Sequence, residues 1–222
     1  MEIKQLSGVE GAKQATGATV IIDIVRAATV EAYAFGQGAE KIIAVSNVQD
    51  SFLLKKEHPE YLLMGEEHGI KVPGFDYGNS PTEIAKVDLT GKTLVHRTTS
   101  GTQGLNNAVH ADELIFGSFV TGTAVFKYLK SKDFPLISIV SMDGEDIIFA
   151  YALEDLLKTG EFNKEKVRQD LYNHQGVQWF FDVHKPEFPP QDIDFCLDFD
   201  RFDFMLLAKK NGRRITMLPQ NV

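Results

Sequence analysis

The sequence predicts an α/β protein with a largely parallel sheet covered on both faces. Two observations carry that expectation. Short apolar, β-branched runs recur along the chain, and each is followed by a small or polar turn and a longer stretch of helical character. Strand and helix alternating at this spacing suggest βαβ units. The composition, 43% hydrophobic and 24% charged, is that of an ordinary globular chain.

The clearest strand is ATVIIDIV (18–25), followed by the helical RAATVEAYAFGQG, which Gly36 and Gly38 close. KIIAV (41–45) comes next, then NVQDSFLLKKEHP, where Asn47 is placed to cap a helix that stops before Pro59. YLLMG, TLVHRT, ELIFGS and LISIVS repeat the pattern. Two regions break it. Residues 65–91 carry Gly65, Gly69, Gly74, Gly78 and Gly91 with Pro73 and Pro81, which suits an irregular functional loop. From about residue 173 the chain is rich in aromatics and prolines (QWFFDVHKPEFPPQ) and then acidic (DIDFCLDFDRFDF). That stretch is expected to form a C-terminal cap on a single domain spanning 1–222, because no composition shift marks a boundary.

The chain has 31 acidic and 23 basic residues and a net charge of −8, which argues against binding a nucleic-acid backbone. A small anionic substrate stays compatible with a locally positive pocket. Cys196 is the only cysteine, so there is no intrachain disulfide. The start MEIKQLSGVEGAKQ has no secretory core, and no apolar run is long enough to span a bilayer. A cytoplasmic protein without membrane contact is expected. A homodimer is the default oligomer for such a chain. Trp179, Phe180 and Phe181 read as core residues, with a dimer contact as the alternative.

In open α/β sheets ligands bind beyond the carboxyl ends of strands. The residues there are Asp23 and Arg26, Glu66 and Glu67, Thr98 to Thr102, Ser118, and Asp143 to Glu145. A carboxylate such as Asp23 at the end of an apolar strand is costly to bury without a cation nearby. Arg26 is suited to gripping an oxyanion, and TTSGT offers hydroxyls and amides at a helix start. The plain alternatives are a structural ion pair for Asp23 and Arg26 and a capped turn for TTSGT. DIDFCLDFDRFDF lacks the glycine and closing glutamate of a calcium loop. His174 and His184 read as surface residues. There is no P-loop, no GxGxxG, no GxSxG and no DxD after the first strand. The residues alone therefore yield an α/β protein with an anion and divalent-metal site and no named substrate.

The series DIVRAAT (23–29), GEEHGIKVPGFDYGNSP (65–81), TTSGT (98–102) and GSF (117–119), with LED (153–155) and CLDFDRFD (196–203), resembles the 2-phosphosulfolactate phosphatases in content and order. The resemblance implies a three-layer α/β/α sandwich around a mixed sheet. It also implies a Mg²⁺-dependent phosphatase that acts on 2-phospho-3-sulfolactate on the route to coenzyme M. Carried over, it makes Asp23, Arg26 and Asp76 catalytic, and gives the phosphate to Arg26, Asn79, Ser80, Thr99, Ser100, Gly101, Thr102 and Ser118. The metal falls to Asp23, Glu66, Asp76, Glu154 and Asp155.

There are departures from the family's pattern. GERGG becomes GEEHG, so that Glu67 and His68 replace an arginine and a glycine. TTNGT becomes TTSGT, and SFLNA becomes SFVTG with Thr121. The expected function is accordingly hydrolysis of 2-phospho-3-sulfolactate or a related 2-phospho-hydroxy acid ester. The alternative is a diverged, non-catalytic homologue that binds a small anion.

Overall fold

The computed structural model describes residues 1–212 and 214–222. The chain alternates strand and helix as its apolar runs dictate: β1 (Glu2–Ser7), α1 (Gly8–Gln14), β2 (Gly17–Ile22), α2 (Ala27–Gly36), β3 (Lys41–Val45) and α3 (Val48–Glu57). Asn47 caps α3 as its side chain predicts, accepting from the Asp50 amide at 2.8 Å. Then come β4 (Leu62–Glu67), β5 (Ile70–Lys71), α4 (Pro81–Ile84), β6 (Thr93–Arg97), α5 (Gly101–Asn107), β7 (Ala111–Gly117), α6 (Gly122–Ser131) and β8 (Leu136–Ser141). The chain ends with α7 (Asp146–Thr159), α8 (Lys164–Asn173), a 3₁₀ segment (Gln175–Phe181), α9 (Gln191–Cys196), β9 (Phe204–Asn211) and β10 (Arg214–Asn221).

Among the described residues the strands form one mixed sheet in the order β1-β8-β2-β7-β9-β10-β3-β6-β4-β5. β1, β8, β2 and β7 are mutually parallel, and so are β3, β6 and β4. Between these two blocks sits the hairpin β9–β10, antiparallel to β7 on one side and to β3 on the other. Three antiparallel steps reverse direction, so the second block runs opposite to the first.

Side chains alternate across the sheet with the period of a strand. Ile21, Ile42, Ala44, Met64, Leu94, Phe116, Leu206 and Met217 face one layer, where they pack on α1, α2 and α5. Val20, Ile22, Ile115 and Ile139 face the other way, onto α6, α7 and α8. Ile43, Val45, Leu63 and Val95 do the same against Leu54 of α3. Helices on both faces of one sheet make the three-layer α/β/α sandwich expected from the sequence.

The segment after residue 173 divides into two parts. Its first half runs over the carboxyl ends of β2 and β4, and its last strands occupy the middle of the sheet. Phe180 is buried, whereas Trp179 and Phe181 are exposed, so two of the three aromatics expected in the core are not there. No helix among the described residues is long and apolar enough to cross a membrane.

The central hairpin makes one energetic demand. Met217 is fully buried against both β9 and β3, so Met217→Ala should cost about 2–5 kcal/mol of unfolding free energy. Urea unfolding checks this, and a loss below about 1 kcal/mol would contradict the hairpin's place in the core.

Candidate active site

Several of the residues at the strand ends converge on one cavity of about 380 Å³. It is lined by Asp23 and Arg26 after β2, Glu66 and His68 at the end of β4, Asn79, Thr99 and Ser100 before α5, and Asp143 and Glu145 after β8. Trp179, Phe180 and Phe188 supply an aromatic wall. That volume suits a small organic ligand rather than a polymer.

Local sequence explains how each group arrives. Asp23 ends the apolar β2, and its Oδ1 accepts from the Ala27 amide at 2.9 Å, opening α2. Asp146 gathers the amides of Ile24 (2.7 Å), Met142 (3.2 Å) and Asp143 (2.8 Å), which joins the ends of β2 and β8 and brings Asp143 and Glu145 to the cavity. Glu66 accepts from the Thr99 amide (2.5 Å), the Thr99 hydroxyl (2.9 Å) and the Gly69 amide (2.5 Å), so it ties the ends of β4 and β6 together.

The irregular loop 65–81 folds back along β4. Tyr77 donates its amide to the Leu63 carbonyl and accepts from Gly65, while the Asp76 carboxylate accepts from the Leu63 amide at 2.7 Å. These anchors set Asn79 into the cavity, and Ser80 and Pro81 then start α4.

Arg26 is buried and heavily engaged. Its Nη1 donates to Asp192 at 2.9 Å and to the Glu187 carbonyl at 3.4 Å, and Nη2 donates to the Gly69 carbonyl at 3.0 Å. The guanidinium carbon lies 5.2 Å from the ring centres of both Phe180 and Phe188. Three of its five N–H groups are thus spoken for. Asp192 also accepts from Ser80 Oγ (2.7 Å) and the Thr82 amide (3.1 Å). Gly69 has φ +82°, and a Cβ there would lie 2.5 Å from the Phe188 ring, so only glycine lets its carbonyl reach Arg26 under that ring.

The acids repel one another. Burial first, then the Asp143 carboxylate, push Asp23 up to about 8, with Glu145 and Glu66 adding to the rise and the Ala27 amide opposing it. Burial and then Asp23 hold Asp146 well above the ordinary carboxylate range. Glu145 is raised by burial and by Asp143. A cation relieves such a cluster more effectively than protons do.

No three His, Cys, Asp or Glu side chains among the described residues are grouped closely enough to cage a metal. Magnesium needs no cage, since one or two carboxylates with substrate oxygens and water commonly hold it. Asp23 and Asp143 are oxygen donors of that kind at the cavity.

Of the residues expected from sequence, the structure brings Asp23, Arg26, Glu66, Asn79, Thr99 and Ser100 together at the cavity. Gly101 lies directly behind them. A Cβ there would meet Asp23 Oδ2 at 2.6 Å and Phe116 at 2.7 Å, so α5 starts against the Asp23 carboxylate only because position 101 is glycine. Thr102 is buried and exchanges hydrogen bonds with Thr98. Ser80 is engaged with Asp192 and the α4 cap, and Ser118 is buried with no partner for its hydroxyl among the described residues.

Asp76, Glu154 and Asp155 are not brought to the cavity. Asp76 is exposed and serves the loop anchor. Glu154 is engaged by Lys158 and by Gln5 (2.7 Å), while Asp155 is exposed on α7. Glu67 pairs with Arg97 at 3.2 Å and does not line the cavity, whereas His68 does. Asp143 and Glu145 stood out only as acids after a strand. Asp192, Phe180 and Phe188 gave no local signal for the site, because their roles come from contacts across more than a hundred residues.

The fold and cavity define an α/β enzyme site of a size and polarity suited to a small polar ligand. The sequence profile of the 2-phosphosulpholactate phosphatase family matches residues 5–211, and the chain belongs to that family. It is 30% identical over 199 residues to a protein of Bacillus subtilis (strain 168), covering 87% of each chain. It is 36% identical over 213 residues to one of Clostridium perfringens (strain SM101 / Type A), covering 87% of this chain and 86% of the relative. A protein of Carboxydothermus hydrogenoformans (strain ATCC BAA-161 / DSM 6008 / Z-2901) is 46% identical over 143 residues, 64% of this chain and 58% of its own. All three are named "Probable 2-phosphosulfolactate phosphatase".

Two outcomes test the electrostatics. Asp192→Ala leaves the Arg26 charge buried and unpaired, which should cost about 3–5 kcal/mol in denaturant unfolding. Adding Arg26→Ala should then cost much less than it does alone, because the two effects share one pair. Between 3.8, the ordinary value for Asp23, and about 8, the folded protein keeps a proton that the unfolded chain has lost. Stability therefore falls as pH rises across that window. Metal-free protein should melt higher at pH 5 than at pH 8, and Asp23→Asn should shrink the difference; an unchanged pH dependence in that variant would refute the assignment.

Proposed function

We propose that the protein is a magnesium-dependent phosphatase that hydrolyses 2-phospho-3-sulfolactate, or a closely related 2-phospho-hydroxy acid ester, to the 2-hydroxy acid and phosphate. The observation that carries this reading is the cavity that sets the mutually repelling carboxylates of Asp23, Asp143 and Glu145 opposite Arg26 and the start of α5. Family membership supplies the substrate class. The names of the relatives agree with it.

Magnesium held by Asp23 and Asp143 would supply positive charge to the phosphoryl oxygens and the departing alkoxide. Arg26 is fixed by Asp192 and the Gly69 carbonyl, so its remaining N–H groups meet a phosphoryl oxygen without first losing conformational freedom. The amides of Ser100 and Gly101 have no protein acceptor among the described residues and add donors on the same side. Asp23 either attacks phosphorus or takes the proton of the attacking water, and both steps need its carboxylate ionised. Trp179, Phe180 and Phe188 keep water away from that face of the cavity. Glu67, which stands where the family has arginine, is paired with Arg97 and sends no charge into the cavity. A second anionic group on the substrate is therefore not repelled by it.

The test is phosphate release from a panel of 2-phospho-hydroxy acids, phosphosulfolactate included, with Mg²⁺ and with EDTA. Release that needs Mg²⁺ is expected, with Asp23→Asn lowering kcat at least about a hundredfold. No release from any ester by folded protein would favour the non-catalytic anion-binding homologue.

A further inference from the structure

Behind the cavity, a polar chain runs through an otherwise apolar layer. Glu31 of α2 and His96 of β6 are both fully buried, and His96 faces the same layer as Leu94 and Met64. His96 Nδ1 lies 2.8 Å from Glu31 Oε1, and Nε2 lies 3.1 Å from Asn79 Oδ1. Glu31 Oε2 has no hydrogen-bond partner among the described residues. Burying such a pair is expensive, and a pair of apolar side chains would fill the layer at least as well. What apolar residues would not supply is a donor to the Asn79 oxygen.

We infer that Glu31 and His96 are positioning residues that turn the Asn79 amide so that its N–H groups face the cavity and donate to a phosphoryl oxygen of the substrate. The inference rests on the phosphatase reading and names the groups that prepare one of its donors. An amide oxygen only accepts, so the bond to Nε2 requires the ring hydrogen there. Burial pushes the Glu31 carboxyl up, which suits a proton on Glu31 donated to Nδ1. The pair is then neutral, and the tautomer that serves Asn79 is the one it selects. With Oδ1 tied to His96, the amide cannot flip, and Nδ2 is left towards the cavity that Asn79 lines. No protein acceptor for Nδ2 exists among the described residues.

Binding of orthophosphate in the presence of Mg²⁺, measured by calorimetry, tests this through a double-mutant cycle. Asn79→Ala and His96→Leu should each weaken phosphate about tenfold or more, and the double variant no further than either alone. His96→Gln keeps a donor near the Nε2 position, and Glu31→Gln keeps a donor to Nδ1. Both should stay within about threefold of wild type. Circular dichroism melts report on folding, so a variant that loses stability without losing phosphate reveals a structural role only.

Wild-type affinity in folded His96→Leu, or losses that multiply in the double variant, would overturn the inference and leave the phosphatase reading standing. If His96→Leu does not fold, weak binding by His96→Gln equal to that of Asn79→Ala overturns it in the same way. A wild-type protein that neither binds phosphate nor releases it from any ester overturns both.

Discussion

The ion pair between Arg26 and Asp192 holds the site together. A buried pair is a weak source of stability, because desolvation offsets most of the attraction. Its value here lies in what it joins. Arg26 follows the central strand β2, Asp192 belongs to α9, and the same carboxylate caps the start of α4 through Ser80 and Thr82. The Gly69 carbonyl completes the set from the loop after β4. Four segments scattered along the chain thus meet at one ion pair, and Phe180 and Phe188 enclose its guanidinium. Arg26, Gly69, Phe180 and Phe188 from this assembly form part of the cavity wall.

With Arg26 neutralised by Asp192, the balance of charge at the cavity is negative. Asp23, Glu66, Asp143 and Glu145 all line it. The sign matches the net charge of −8 on the whole chain, and Asp143, Glu145 and Glu66 each push the Asp23 carboxyl up. The roles of the acids also divide by what each can accept. Asp146 and Glu66 spend their oxygens on backbone amides and organise loops. Asp23 gives one oxygen to an amide and keeps the other for the cavity.

Most strands of the parallel blocks were legible because they are short, apolar and flanked by turns; β1 was not, since EIKQLS is largely polar and exposed. The central hairpin was not. FMLLAKKN and RITMLPQN mix charge with apolar residues, since each strand runs out beyond its neighbours into solvent at one end. Such a pattern reads as an edge or a cap. At the site, the rule that strand ends carry function located Asp23, Glu66, Thr99 and Asp143. Motif matching located Asp23, Glu66 and Thr99 too, with Arg26, Asn79 and Ser100, but it also pointed to Asp76, Glu154 and Asp155, which lie away from the cavity. His96 lies inside an apolar strand and looked like any core residue, because only the fold reveals that Glu31 and Asn79 flank it.

The hairpin's central place also orders events in time. Its two strands come later in the chain than both of the blocks they bridge. Until they arrive, β7 and β3 each carry a free, apolar edge whose backbone bonds have no partner. Such edges invite pairing with another nascent chain. Before the hairpin forms, the sheet is thus two unfinished halves, and its open edges are most prone to aggregate. Closure by the central hairpin is the step that a chaperone would have to protect.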